Sequence, residues 1–285
     1  MNFKKSFSIV ALPLIMLACK KNDVVVPQDY STSKILLNAS YASSSEQKMD
    51  IYLPANRSIA TTKVIIAIHG GGWSGGDKSD FTQFVDTMRR RLPDYAIFNL
   101  NYRLATGTNL FPTQENDVKS AVQFILDHSG EYGISQKFVL MGASAGAHLA
   151  LLQGYKYSSQ INPKAIISFF GPTDLIEMYR HPTNSFVPSG LVAVIGKTPE
   201  QDSLLYANSS PINFVKGSSS PTILLHGGAD PLVSPNQSAS LKTKLTAAGV
   251  VNQYVFYPTE AHGWFGTNLY DSFNKIEAFI RTNVN

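Results

Sequence analysis

The chain has 285 residues, 44% of them hydrophobic and 15% charged, with one cysteine and a formal charge of +4. That length and apolar content support one large domain and exclude a disordered chain. One cysteine excludes an internal disulfide and a cysteine-built zinc site, and so small and scattered a charge excludes a nucleic-acid-binding surface.

The chain opens on a targeting pattern. Lys4 and Lys5 precede Phe7 to Ala18, a predominantly apolar run of 12 residues broken by Pro13, too short to span a bilayer. The segment Met16-Leu17-Ala18-Cys19 resembles a bacterial lipoprotein cleavage box. The resemblance implies that residues 1–18 are removed, that Cys19 is the lipid-attachment residue, and that the protein is held on the extracytoplasmic face of a bacterial membrane. Residues 19–34 then read as a tether and 35–285 as the catalytic domain. Loss of Lys4 and Lys5 lowers the formal charge from +4 to about +2, so the basic balance gives no evidence of an anionic partner.

From residue 35 the chain alternates short apolar runs with helical periodicity. Ile35–Tyr41 and Gln47–Leu53 read as a pair of strands with no helix between them, hence antiparallel at one edge. Strands follow at Val64–Ile68, Tyr95–Leu100, Lys137–Met141, Ala165–Phe170, Thr222–Leu225 and Gln253–Phe256. Helical spacing appears in Phe81, Phe84, Val85, Met88 and Leu92, in Val118 to Leu126, in Leu241 to Ala248, and in Phe273 to Ile280. This order predicts an α/β fold: a mostly parallel central sheet with helices on both faces. Functional residues are expected just beyond the carboxyl ends of strands.

Four motifs sit there. Gly142-Ala143-Ser144-Ala145-Gly146 fits G-x-S-x-G, directly after one strand and before an apolar helical run, which presents Ser144 at the apex of a sharp turn. His69-Gly70-Gly71-Gly72-Trp73 offers backbone N–H groups unobstructed by side chains. A phosphate-binding reading of Gly71 to Ser79 fails in register, because Asp77 stands where lysine is needed. Asp230 lies in His226-Gly227-Gly228-Ala229-Asp230, and His262 in Glu260-Ala261-His262-Gly263-Trp264. A serine hydroxyl needs a histidine base, and the histidine needs a carboxylate to orient it. Asp174 competes with Asp230 for that last role; His69 and His226 are expected to brace their loops, and His148 to be packed on a helix.

With these motifs in the order Ser144, Asp230, His262, the chain resembles the α/β-hydrolase family of serine esterases over about residues 45–283. The HGGGW loop, Gly76-Asp77-Lys78, Asn101-Tyr102-Arg103-Leu104 and Gly171-Pro172-Thr173-Asp174 resemble the branch of hormone-sensitive-lipase-like and bacterial acetyl-xylan or feruloyl esterases. The resemblance implies Ser144 as nucleophile, His262 as base and acid, Asp230 as orienting acid, and an oxyanion hole from the N–H groups of Gly71, Gly72 and Ala145. No His-x-His or His-Glu-x-x-His pattern appears, so no metal is expected, and the serine mechanism needs no cofactor; the resemblance implies a short lid at about 175–216, with Tyr179, Phe186 and Val187 as candidate pocket residues. The expected substrate is a short-chain acyl ester, small or carbohydrate-borne, such as an acetyl or feruloyl ester of plant polysaccharide. An aryl-formamidase or peptidase of the same fold is the alternative, and a non-catalytic binding protein on this scaffold a further one.

Overall fold

The computed structural model describes Met1 and residues 28–285. Residues 2–27, which hold the rest of the expected signal segment, Cys19 and the greater part of the expected tether, lie outside the described residues. Eight strands form one sheet in the order β1-β2-β4-β3-β5-β6-β7-β8. Strands β1 (Lys34–Ser40) and β2 (Lys48–Leu53) pair antiparallel at one edge, and β2 joins β4 (Ala96–Leu100) antiparallel as well. From β4 onward every pairing is parallel: β3 (Val64–Ile68), β5 (Phe138–Ala143), β6 (Ala165–Phe169), β7 (Thr222–Gly227) and β8 (Asn252–Tyr257). This is the α/β-hydrolase fold that the sequence resemblance implies.

The central strands are buried along their whole length because both faces are covered. Alternate side chains of β3 divide between two cores: Val64, Ile66 and Ile68 enter one, Ile65 and Ala67 the other. Helices α1 (Thr82–Arg91) and α9 (Gly266–Asn283) cover the second face, through Val85, Met88, Phe273, Ile276 and Ile280. Helix α2 (Thr113–Asp127), the one-turn α3 (Ser129–Tyr132) and α4 (Ala145–Tyr155) lie on the first. The chain between β6 and β7 is an excursion of short helices, α5 (Leu175–Arg180), α6 (Phe186–Ile195) and α7 (Ser203–Asn208). Helix α8 (Asn236–Ala247) returns the chain to β8.

The turn from β5 into α4 requires glycine on both sides. A Cβ on Gly142 would strike the backbone of Gly146, and a Cβ on Gly146 would strike the carbonyls of Ile68 and His69. Strand β5, helix α4 and the end of β3 therefore meet backbone to backbone. Ser144 between them adopts φ 53° and ψ −122°. A positive φ at a residue with a side chain costs on the order of 1–3 kcal/mol, and here surrounding contacts hold it. One is the 2.8 Å hydrogen bond from Ser144 N–H to the Phe169 carbonyl.

Candidate active site

Three loops converge on the elbow serine. Ser144 Oγ donates to His262 Nε2 at 2.9 Å, and His262 Nδ1 donates to Asp230 Oδ2 at 2.7 Å. That chain of bonds fixes the Nδ1–H tautomer and leaves Nε2 as an acceptor facing the serine. The Asp230 side chain is fully buried, whereas that of His262 keeps 17% of its surface exposed. Burial by itself raises the Asp230 carboxyl. Hydrogen bonds from His226, His262 and the Val233 N–H outweigh it and hold the group below the ordinary carboxylate range. The imidazole of His262 packs on Phe170 with ring centroids 4.5 Å apart. Phe170 itself has φ 41°, a strained value for a bulky residue, immediately after β6.

The glycine loop lies against the same elbow. A Cβ on Gly70 would come 2.9 Å from the Ala143 carbonyl and 3.3 Å from Ser144 Cβ. Gly71 turns at φ 110°, and its carbonyl accepts from Ser74 and Gly75 N–H at 3.2 and 2.9 Å. The N–H groups of Gly71 and Gly72 find no protein acceptor among the described residues, and both glycines line the cavity over Ser144. Ala145 N–H opens helix α4, where the first turn leaves N–H groups unpaired.

Motif fragments distant in sequence hold this loop in place. Asn101 accepts from Lys78 N–H at 2.6 Å and donates to Asp77 at 2.6 Å. Burial raises the Asp77 carboxyl, but bonds from Ser79 and Asn101 bring it down to about 2. Lys78 reaches Asp50 at 3.1 Å, and its carbonyl accepts from Asn99. Arg103 grips Asp117 of α2 at 2.6 Å. His69 donates from Nδ1 to the Gly70 carbonyl at 2.7 Å and stacks on Tyr102 at 4.4 Å, so it braces the loop; burial lowers its affinity for a proton. His148, fully buried, donates to the Ser209 carbonyl and accepts the Trp73 indole N–H at 3.2 Å. Burial pushes it down to about 4, so it stays neutral and keeps that acceptor free.

These elements enclose a cavity of about 680 Å³. Phe81, Phe84, Phe169, Phe170 and Trp264 line it from the sheet side, and Met178, Phe186, Val187 and Leu191 from the helical excursion. Phe186 and Phe265 are 81% and 80% exposed at its rim. Among the described residues no group of three His, Cys, Asp or Glu side chains is placed to hold a metal ion, and no helix is long and apolar enough to cross a membrane.

A family model described as BD-FAE matches residues 49–245. The chain belongs to the BD-FAE family. It is 22% identical over 237 residues to the esterase LipC of Mycobacterium tuberculosis, covering 79% of this chain and 58% of that protein. It is 25% identical over 245 residues to an acetylxylan esterase of Xylanibacter ruminicola, covering 84% of this chain and 48% of that one. A solved structure of a bifunctional GH43-CE from Bacteroides eggerthii superposes with a TM-score of 0.76 at 27% identity, covering 87% of this chain and 38% of the other. The chain thus spans about half the length of the curated relatives it matches.

The remaining candidates of this BD-FAE chain divide between the cavity and structural positions. Asp174 caps α5, its Oδ1 accepting from Ile176 and Glu177 N–H at 3.1 and 3.0 Å. Its Gly-Pro-Thr-Asp turn is fastened to Gln237 of α8. Phe186 and Val187 line the cavity, but Tyr179 does not: its ring packs edge-on against Tyr206 inside the excursion. Helix α5 is short enough that only one face, carrying Met178, reaches the cavity. Phe81, Phe84 and Phe170 carry only helix and strand periodicity in the sequence, the pattern of ordinary core residues, yet all three line the cavity. Glu260 is held by Asn268 at 2.5 Å.

Asp230→Asn is expected to lower kcat by about 10⁴, because the amide favours the wrong imidazole tautomer. Asp174→Asn should leave kcat within a few-fold, since asparagine also caps a helix. Steady-state ester hydrolysis by the two purified variants checks both, and the reverse ranking would move the orienting role to Asp174.

Proposed function

We propose that the chain is a serine carboxylic ester hydrolase working through an acyl-enzyme. The observation that carries this is the hydrogen-bonded line Ser144–His262–Asp230 beside the unpaired Gly71 and Gly72 N–H groups, all at one cavity. In this reading Ser144 Oγ attacks the ester carbonyl carbon while His262 Nε2 takes its proton. The negative charge that forms on the carbonyl oxygen is met by the N–H groups of Gly71, Gly72 and Ala145, and removing one such donor elsewhere costs roughly 100–1000-fold in rate. His262 then protonates the departing alcohol, leaving the acyl group on Ser144. Water attacks that ester with His262 again as base, and the carboxylic acid leaves with Ser144 restored.

The substrates we propose are short-chain acyl esters, including acetyl or feruloyl esters carried on plant polysaccharide. Names of relatives support this, the acetylxylan esterase in particular. So does the cavity, apolar within and rimmed by exposed Phe186 and Phe265, surfaces suited to the flat face of a sugar or an aromatic acid. We also propose that residues 1–18 are a signal segment and that Cys19 carries a lipid anchor on the extracytoplasmic side; the motif at Met16 to Cys19 supports it.

Ser144→Ala should cut p-nitrophenyl acetate turnover by about a thousandfold or more with unchanged thermal unfolding; undiminished turnover would refute the mechanism. Parallel assays on acetyl, butyryl and octanoyl esters, acetylated xylan, methyl ferulate and N-formylkynurenine rank the substrates, and a preference for the last would favour the formamidase alternative. Mass spectrometry of the N-terminal peptide of protein expressed in a bacterial host should find Cys19 acylated and first in the chain, and an unmodified Cys19 would remove the anchor.

A further inference from the structure

His226 stands in β7, four residues before Asp230, and is fully buried. Both ring nitrogens are engaged. Nδ1 lies 2.7 Å from Ser238 Oγ on α8. Nε2 lies 2.9 Å from the Val233 carbonyl and 3.2 Å from Asp230 Oδ2. Neither of those oxygens can donate, so Nε2 carries the proton. The Ser238 hydroxyl has no other partner among the described residues, so it donates to Nδ1. Nε2 is thus the donor and Nδ1 the acceptor, each set by its own partner.

The consequence falls on the Asp230 carboxylate. Oδ1 accepts from Leu232 and Val233 N–H at 2.9 and 3.0 Å. Oδ2 faces two imidazoles: His262 at 2.7 Å and His226 at 3.2 Å. The acid is thus seated by three groups of its own loop and strand before His262 arrives. We propose that His226 is a positioning residue: its Nε2–H, bonded to the Val233 carbonyl and 3.2 Å from Asp230 Oδ2, holds the acid loop and, by sharing the carboxylate's charge, limits how tightly Asp230 holds a proton on His262. The proposal rests on the esterase reading for its kinetic readout. His226 is not among the residues lining the cavity and touches no substrate.

A carboxylate with fewer donors is a stronger hydrogen-bond acceptor and favours the protonated form of its remaining partner. Removing the His226 donor should therefore keep His262 protonated, and idle as a base, to higher pH. The other ionisable groups near His262 are Glu260, on its own loop and bound to Asn268, and Asp80 and His69 across the cavity; none is altered by changes at His226.

The test compares His226→Gln with His226→Asn. The glutamine amide reaches about as far as Nε2 and can keep the donor on Asp230, whereas asparagine reaches only as far as Nδ1. In His226→Asn the acidic limb of the kcat/KM profile on p-nitrophenyl acetate should move up by about 0.5–1 pH unit with KM within about twofold. His226→Gln should return the limb toward that of the parent. A loss of kcat that is equal at every pH in both variants, with the limb unmoved, would mean that His226 only fills space, and would overturn the proposal. Should neither variant fold, or should the parent hydrolyse no ester, ¹⁵N–¹H correlation spectra of the imidazoles in the labelled parent decide it. A neutral Nε2–H tautomer at His226 is expected, and Nδ1–H would overturn the proposal independently of any activity.

Discussion

The geometry of the site depends on one steric constraint, the backbone contact between strand β5, helix α4 and the end of β3. Gly142 and Gly146 have no side chain because the atoms of Gly146, Ile68 and His69 occupy the space where one would stand. That contact bends the chain so sharply that Ser144 is forced to φ 53° and lifted out of the sheet. It also carries the glycine loop, since the residues following Ile68 are His69 to Gly72. Serine and unpaired N–H groups are thus fixed relative to one another by main chain rather than by flexible side chains. Preorganised donors of this kind need no rearrangement as charge develops, which is why their position matters more than their number.

The second requirement is electrostatic. A carboxylate buried as fully as Asp230 is costly unless its lone pairs are used. Backbone N–H groups of Leu232 and Val233 and two imidazoles use them. The parallel sheet makes this possible, because β7 and β8 end side by side and deliver the acid and histidine loops to the same edge. Phe170 closes the arrangement from below, its strained backbone placing an aromatic ring on His262. Farther out, Asn101, Lys78 and Asp50 hold the glycine loop to β4 and β2, so the antiparallel edge contributes to the site without touching it.

Much of this was legible in the sequence because it is written locally. Each core strand is a short apolar run, and each of Ser144, Asp230 and His262 follows such a run by a few residues. The edge pair was readable from the lack of a helix between β1 and β2. Strand order was not: β4 inserts between β2 and β3 through contacts that no local pattern encodes. The helices between β6 and β7 were equally hidden, since α5 and α7 span six residues each, too short for a periodic signal. That is also why Tyr179 was assigned to the cavity although it packs on Tyr206. The aromatic wall of Phe81, Phe84 and Phe170 escaped because an aromatic lining a cavity and one filling a core have the same sequence signature. The proximity of His226 to Asp230 was visible only as a spacing of four residues; the direction of its Nε2 required the structure.

Active-site titration tests the central claim most directly. The protein is incubated with a p-nitrophenyl alkylphosphonate, released p-nitrophenol is counted, and the adduct is located by peptide mass spectrometry. The account predicts one equivalent released, a single phosphonyl group on Ser144, and no reaction in Ser144→Ala. Stoichiometric labelling at another residue, or labelling that persists in Ser144→Ala, would contradict it.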